Sequence, residues 1–187
     1  TISAANSLVG STSDDDVGSY GVAVLSNGNY VVLSGAWDLD ATHTNVGAVT
    51  FGSGTTGVSG TVSAANSLVG STTDDYVGIY GVVELSNGNY VVLSANWDLD
   101  ATHEDAGAAT FGNGTTGISG TVSAANSLVG TATNAGLQSV LLDDVNDTFL
   151  APFVTDGSGK VRIGLQSDAT APTATAPASF TVTEDFP

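Results

Sequence analysis

The sequence predicts an all-β fold of tandem four-stranded antiparallel blades, a partial β-propeller. Three observations predict it. TISAANSLVG at Thr1 returns as TVSAANSLVG at Thr61 and Thr121, a period of sixty residues, and 1–60 laid over 61–120 without a gap matches at 46 of 60 positions. Such a period marks a supersecondary unit that buries its apolar face against copies of itself. The units are rich in Gly and β-branched residues, which disfavour helix. A hydrophobic fraction of 41% and a mean hydropathy of +0.20 argue for a folded chain despite its acidity.

The elements of the first unit follow in order. Val17 to Leu25 (VGSYGVAVL) reads as a strand in which Gly18 and Gly21 allow close backbone approach. Ser26-Asn27-Gly28-Asn29 is a turn, and Asn-Gly is a strong hairpin signal. Tyr30 to Ser34 (YVVLS) is apolar at consecutive positions, so it is expected to be covered on both faces. A loop, 35–45, carries Trp37-Asp38-Leu39-Asp40, and Gly47 to Phe51 forms the third strand. The turn GSGTTG leads to a fourth strand within Val62 to Val69. Four strands in a unit of this length fit a blade better than a β-helix coil or a leucine-rich repeat.

The organisation expected is one blade over 1–60, a second over 61–120, a degenerate third over 121–165, and a linker with the start of a following module over 166–187. In the third unit AGLQSVLLDDVNDTFLAPF (135–153) lies over 77–95 with a shift of two residues, and the Trp loop is missing. VTDGSGKVRIGL (154–165) supplies a last hairpin around Asp156-Gly157. Terminal repeats are often atypical because they cap a stack. The Ala, Thr and Pro of 166–187 read as an extended segment stiffened at Pro172 and Pro177.

Charge narrows the function. Two cations, Lys160 and Arg162, stand against 19 acidic residues, for a net charge of −17. This argues against nucleic acid and against docking on an anionic membrane, both of which need Lys and Arg. It favours divalent cations, a salty medium, or solubility. Cysteine is absent, which removes disulfides and thiolate metal sites. No apolar run approaches the length that spans a bilayer.

The order of these elements resembles the FG-GAP repeat of integrin-α-type β-propellers. The stretches that carry the resemblance are Gly21 to Leu25, Asn27-Gly28-Asn29, Tyr30 to Ser34 with Gly35-Ala36-Trp37, and Gly47 to Gly52. The second unit repeats them at Asn87-Gly88-Asn89, Tyr90 to Ser94 and Gly107 to Gly112. The repeats also look like the near-identical tandem units of very large bacterial surface and secreted proteins. APTATAPASFTVTEDFP looks like the entry to a cadherin-like or immunoglobulin-like module. The resemblance implies an extracellular or cell-surface protein for binding or adhesion, with calcium held in blade hairpins. One departure matters: the family's Asp-rich calcium turn is here Ser-Asn-Gly-Asn, without a carboxylate. Calcium takes 6–8 oxygens, several of them charged, so these turns read as plain hairpins.

The acidic residues cluster elsewhere, at Asp14-Asp15-Asp16, at Asp74-Asp75, and in the Trp loops. Asp38 with Asp40, and Asp98 with Asp100, set two carboxylates within reach of one hard cation, and Asp105 strengthens the second loop. The competing reading is a solvated loop that blocks a sticky edge. His43 and His103 are equivalent and would suit a transition metal, or are plain loop residues. Trp37 and Trp97 would stack on sugar rings if exposed, or pack between blades. Most Asp residues recur at equivalent positions, whereas a catalytic pair needs one special geometry, and no nucleophile triad, phosphate loop or redox pair is present. The expectation is a non-enzymatic structural or adhesive module, a spacer or contact surface in a larger extracellular bacterial protein. Its partners are neighbouring repeats or a second copy, and surface glycans or proteins. The alternative is a calcium-dependent ligand- or carbohydrate-binding propeller.

Overall fold

The computed structural model describes residues 1–166; the linker expected from Gln166 onward lies, apart from that residue, outside the described residues. The described residues are all-β and contain no helix. The chain opens on a two-residue strand, β1 (Leu8–Val9). Three antiparallel strands follow: β2 (Val22–Val24), β3 (Tyr30–Ser34) and β4 (Ala48–Gly52). After β5 (Gly60–Thr61), β6 (Ser67–Val69) pairs antiparallel with β4 and completes a four-stranded meander, sheet I. The second unit repeats this as sheet II: β7 (Val82–Glu84), β8 (Tyr90–Ser94), β9 (Ala108–Gly112) and, after β10 (Gly120–Thr121), β11 (Ser127–Val129). Sheet III has three strands, β12 (Leu141–Asp143), β13 (Thr148–Phe153) and β14 (Lys160–Leu165).

The fourth strand of each sheet is thus the SLV of the next sequence repeat. Two short parallel pairings tie consecutive units together. β5 runs beside β1, and β10 runs beside β6, which extends sheet I to five strands. No sheet among the described residues closes on itself.

Both faces of the central strands are buried, as the consecutive apolar residues of YVVLS require. Side chains alternate across a strand, and here the two faces serve different neighbours. Val31, Leu33, Val49 and Leu68 of sheet I share a core with Tyr90, Val92, Trp97 and Ala108 of sheet II. From the other face of sheet II, Val91, Leu93, Ala109, Phe111 and Leu128 pack on Phe149, Ala151 and Phe153 of sheet III. Trp37, Val46, Ala48, Val62 and Val69 form a third cluster with Leu8 and Val17. Each fully buried Val, Leu or Phe contributes about 1.5–3 kcal/mol relative to exposure, so these interfaces hold the stack together.

Two expectations are corrected. The first strand is confined to Val22–Val24. Gly18 and Gly21 have φ of 77° and 96°, and Gly21 N–H bonds to Gly18 C=O at 2.9 Å, so the chain turns where an extended strand was expected. The third unit does not keep one shift of two residues: that shift holds at β12, where Leu141 pairs with Leu150 as Val83 pairs with Val91, but it is one residue at β13 and none at Ala135. Tyr30 pairs with Gly52 and Tyr90 with Gly112, and a Cβ on either glycine would overlap the tyrosine ring. Phe149 stands in the same relation to Gly164, so it occupies the tyrosine's place. An aromatic ring laid over a cross-strand glycine covers backbone that would otherwise be bare.

Candidate functional site

The acidic residues of each unit gather where the segment before the first strand meets the Trp loop. Asp75 is fully buried. Its Oδ2 accepts from the Ser71 and Thr72 N–H groups, each at 2.8 Å, and its Oδ1 from Asp98 N–H at 2.9 Å. Asp15 does the same in the first unit, taking Ser11 N–H at 2.5 Å, Thr12 N–H at 2.9 Å and Asp38 N–H at 3.2 Å. Burial pushes the Asp75 carboxyl above the usual carboxylate value, against the pull of those three N–H groups.

The next carboxylate continues the chain of bonds. Asp98 Oδ1 accepts from Asp105 N–H at 2.8 Å, and Asp38 Oδ1 from Asn45 N–H at 2.7 Å. Asp98 is raised by burial first, then by the nearby charges of Asp105, Glu104 and Asp74. Asp105 in turn accepts from Asn96 Nδ2 at 2.9 Å. Asn45 and Asp105 have φ of 53° and 52°, and Asp14 and Asp74 of 69° and 68°. Among side-chain-bearing residues, Asn and Asp tolerate this left-handed region best.

Asp40 and Asp100 work apart from Asp38 and Asp98. Asp40 Oδ1 accepts from Thr42 N–H at 2.8 Å and Thr42 Oγ1 at 2.6 Å, and lies 3.0 Å from His43 Nδ1. Asp100 repeats this with Thr102 and with His103 Nδ1 at 2.9 Å. These bonds, led by the threonine hydroxyl, lower both carboxyls, Asp100 to about 2. Each Asp-x-Asp pair is divided between two turns, and each histidine is held by its own aspartate. Among the described residues no three His, Cys, Asp or Glu side chains converge to hold a metal ion.

Of the two roles open to the tryptophans, stacking on a ligand or packing, the structure shows the second: Trp37 is buried to 2% and Trp97 to 4% exposure. They follow β3 and β8 directly and pack into the cores beside Val46 and Val92. A ring so covered has no face to offer a sugar. Both indole Nε1 atoms are buried without a hydrogen-bond partner. A cleft of about 210 Å³ lies between units one and two, lined by Phe51, Asn66 and 116–119, and none of its lining residues is titratable.

Sequence reasoning missed two devices. The Asn-Gly-Asn turns are clamps between units. Asn27 Nδ2 and Asn29 Nδ2 both donate to Gly114 C=O of the next unit, at 2.7 and 2.9 Å, while Asn29 Oδ1 accepts from Gly54 N–H of its own. Asn87 and Asn89 donate in the same way to Gln166 C=O. The second device replaces a lost carboxylate. The position of Asp15 and Asp75 is Ala135 in the third unit, and Asp156 reaches in from the last hairpin to accept from Thr131 N–H at 3.1 Å. Lys160 and Arg162 pair with it at 3.0 and 3.2 Å. Burial works to raise the Asp156 carboxyl, but the bonds from Lys160 and Thr131 outweigh it and lower the value. The only legible signal was the chain's two cations falling close after one aspartate.

Neither a curated protein nor a solved structure matches this chain. A family model does, over residues 1–19, 24–79 and 84–139, more than two thirds of the chain. Its frame follows the sheets: 24–79 begins within β2 and runs past β6, and 1–19 is the closing part of such a frame. The chain therefore belongs to the DUF5650 family, a repeat of unknown function.

Proposed function

We propose that the chain is a non-enzymatic structural module of a larger extracellular bacterial protein. Its sheets are blades of a partial β-propeller, and they act as a spacer or contact surface. One observation carries this reading: the recurring acidic and aromatic side chains named below are engaged by the chain's own backbone and cores, in the same way in both full units. Asp15 and Asp75 hold loop N–H groups, Asp38 and Asp98 hold the far side of the Trp loop, Asp40 and Asp100 cap their own turns, and Trp37 and Trp97 fill cores. A side chain that does one architectural job at every repeat is being used to build the array.

Calcium-dependent binding of a ligand or carbohydrate is the second reading. It is favoured by the like charges of Asp105, Glu104 and Asp74 around Asp98. A cation bound only by the folded state raises the unfolding midpoint by mass action. The test is a thermal melt in EDTA, in millimolar calcium and in magnesium. The structural reading expects one midpoint in all three. A rise with calcium alone, removed by Asp98→Asn, overturns it in favour of the second.

A further inference from the structure

The chain contains three Asn-Gly dipeptides, beginning at Asn27, Asn87 and Asn113. An asparagine before a glycine is open to self-modification, because no Cβ on the next residue keeps its backbone nitrogen away from the side-chain carbonyl carbon. The three dipeptides are identical in sequence, and the fold bonds them differently.

Asn27 and Asn87 are locked. Each amide nitrogen donates to a carbonyl outside its own turn, Asn27 Nδ2 to Gly114 C=O at 2.7 Å and Asn87 Nδ2 to Gln166 C=O at 2.6 Å. Each Oδ1 accepts one backbone N–H, from Asn29 or Asn89, at 3.0 Å. The nitrogens that follow them, of Gly28 and Gly88, are tied back to Leu25 and Leu85 C=O at 2.9 Å.

Asn113 is arranged the other way round. Its Oδ1 accepts two backbone donors, Thr115 N–H at 2.8 Å and Thr116 N–H at 3.0 Å. The first of these bonds closes an Asx-turn, which folds the side-chain carbonyl back over the Gly114 peptide. Among the described residues its Nδ2 has no hydrogen-bond partner. Gly114 N–H donates to a side chain, Asn89 Oδ1, at 2.9 Å, a bond that draws the proton off the nitrogen. Thr115 and Thr116 are exposed, so water reaches the turn. The turn itself does not need an amide. In unit one Ser53 holds this place, and its Oγ takes the Thr55 and Thr56 N–H groups at 3.3 Å.

We infer that Asn113 is a self-modifying residue, converted through a cyclic succinimide to aspartate and isoaspartate by attack of the Gly114 nitrogen. Gly114 N bonds to Asn113 Cγ, and its proton passes by way of water to Nδ2. The Cγ–Nδ2 bond breaks and ammonia leaves. Negative charge gathering on Oδ1 during the attack meets the Thr115 and Thr116 N–H groups, which serve as the donors of an oxyanion hole do. Water then opens the ring at either carbonyl. One opening gives aspartate; the other gives isoaspartate, in which the main chain runs through the side-chain carbon. Gly114 is also the residue that units one and two share. Asn27 and Asn29 hold its carbonyl at 2.7 and 2.9 Å, and Asn89 holds its N–H. The ring removes that N–H, and isoaspartate shifts that carbonyl, so the junction loosens as the molecule ages.

The full chain is kept at mildly alkaline pH, folded and in denaturing urea, and the three sites are followed by peptide mapping with mass spectrometry. In the folded chain Asn113 should convert several-fold faster than Asn27 and Asn87. In urea the three should convert at similar rates. Equal rates in the fold, or a lead for Asn27 or Asn87, overturns the inference. The same lead for Asn113 in urea also overturns it, since the fold then contributes nothing. Asn113→Ser carries the residue of unit one and should keep the turn without ageing. The isolated isoaspartate form should exchange amide hydrogens several-fold faster over 113–117 than Asn113→Ser does. Equal exchange overturns the loosening of the junction.

Discussion

Removing the Asp75 carboxylate by Asp75→Ala tests the claim that one buried acid organises the loops. Three backbone donors lose their acceptor: Ser71, Thr72 and Asp98 N–H, at 2.8, 2.8 and 2.9 Å. A buried donor left unsatisfied costs ~1–3 kcal/mol. Ser71 and Thr72 are exposed residues and water reaches their N–H groups in part, so the low end applies to them; Asp98 N–H is better covered. About 3 kcal/mol follows, and part of it is recovered because a desolvated charge is no longer held, the direction in which burial moves the carboxyl. A net loss of roughly 2 kcal/mol lowers the midpoint by about 4–8 °C for a chain of this size. Urea unfolding and a thermal melt read both quantities. Asp100→Ala, at an exposed turn, should cost less. A loss below about 1 kcal/mol for Asp75→Ala, or a larger one for Asp100→Ala, would refute the reasoning.

Three further expectations follow from the same geometry. Gly112→Ala forces a Cβ into the buried Tyr90 ring and should cost about 1–3 kcal/mol by urea unfolding, through overpacking; a neutral result would show that the ring is free to move. Asn29→Ala removes the bonds to Gly54 and Gly114, so hydrogen exchange should quicken at Gly54 and at the turn 113–117 while β8 stays protected. Uniform quickening would instead mark Asn29 as part of the global core. The pH expectation has two opposite signs. Asp156 is lowered in the fold, so its contribution is present above the unfolded value near 3.8 and is lost as pH falls through its folded value. Asp75 is raised, so it opposes folding above its folded value and that penalty fades as pH falls. Carboxyl carbon NMR should place the Asp75 midpoint above that of Asp156; the reverse order would sink both assignments.

Period and pattern alone determined a great deal. The sixty-residue repeat, the consecutive apolar residues of YVVLS and the Asn-Gly turns placed β3, β4 and their hairpins, because these depend on local propensity and on a side-chain alternation readable in one strand. The acidic loops were also visible as clusters. Their roles were not, because Asp38 and Asp40 look alike in sequence and differ only in which N–H groups the folded loops bring to them. Tertiary structure alone decided that Trp37 and Trp97 are covered. It decided that SLV completes the preceding sheet, since pairing partners far apart in sequence leave no local mark. It decided that Asp156 replaces the carboxylate missing at Ala135. That last substitution is legible only in space, where a side chain from the final hairpin and a side chain from the segment before β12 can satisfy the same backbone donor.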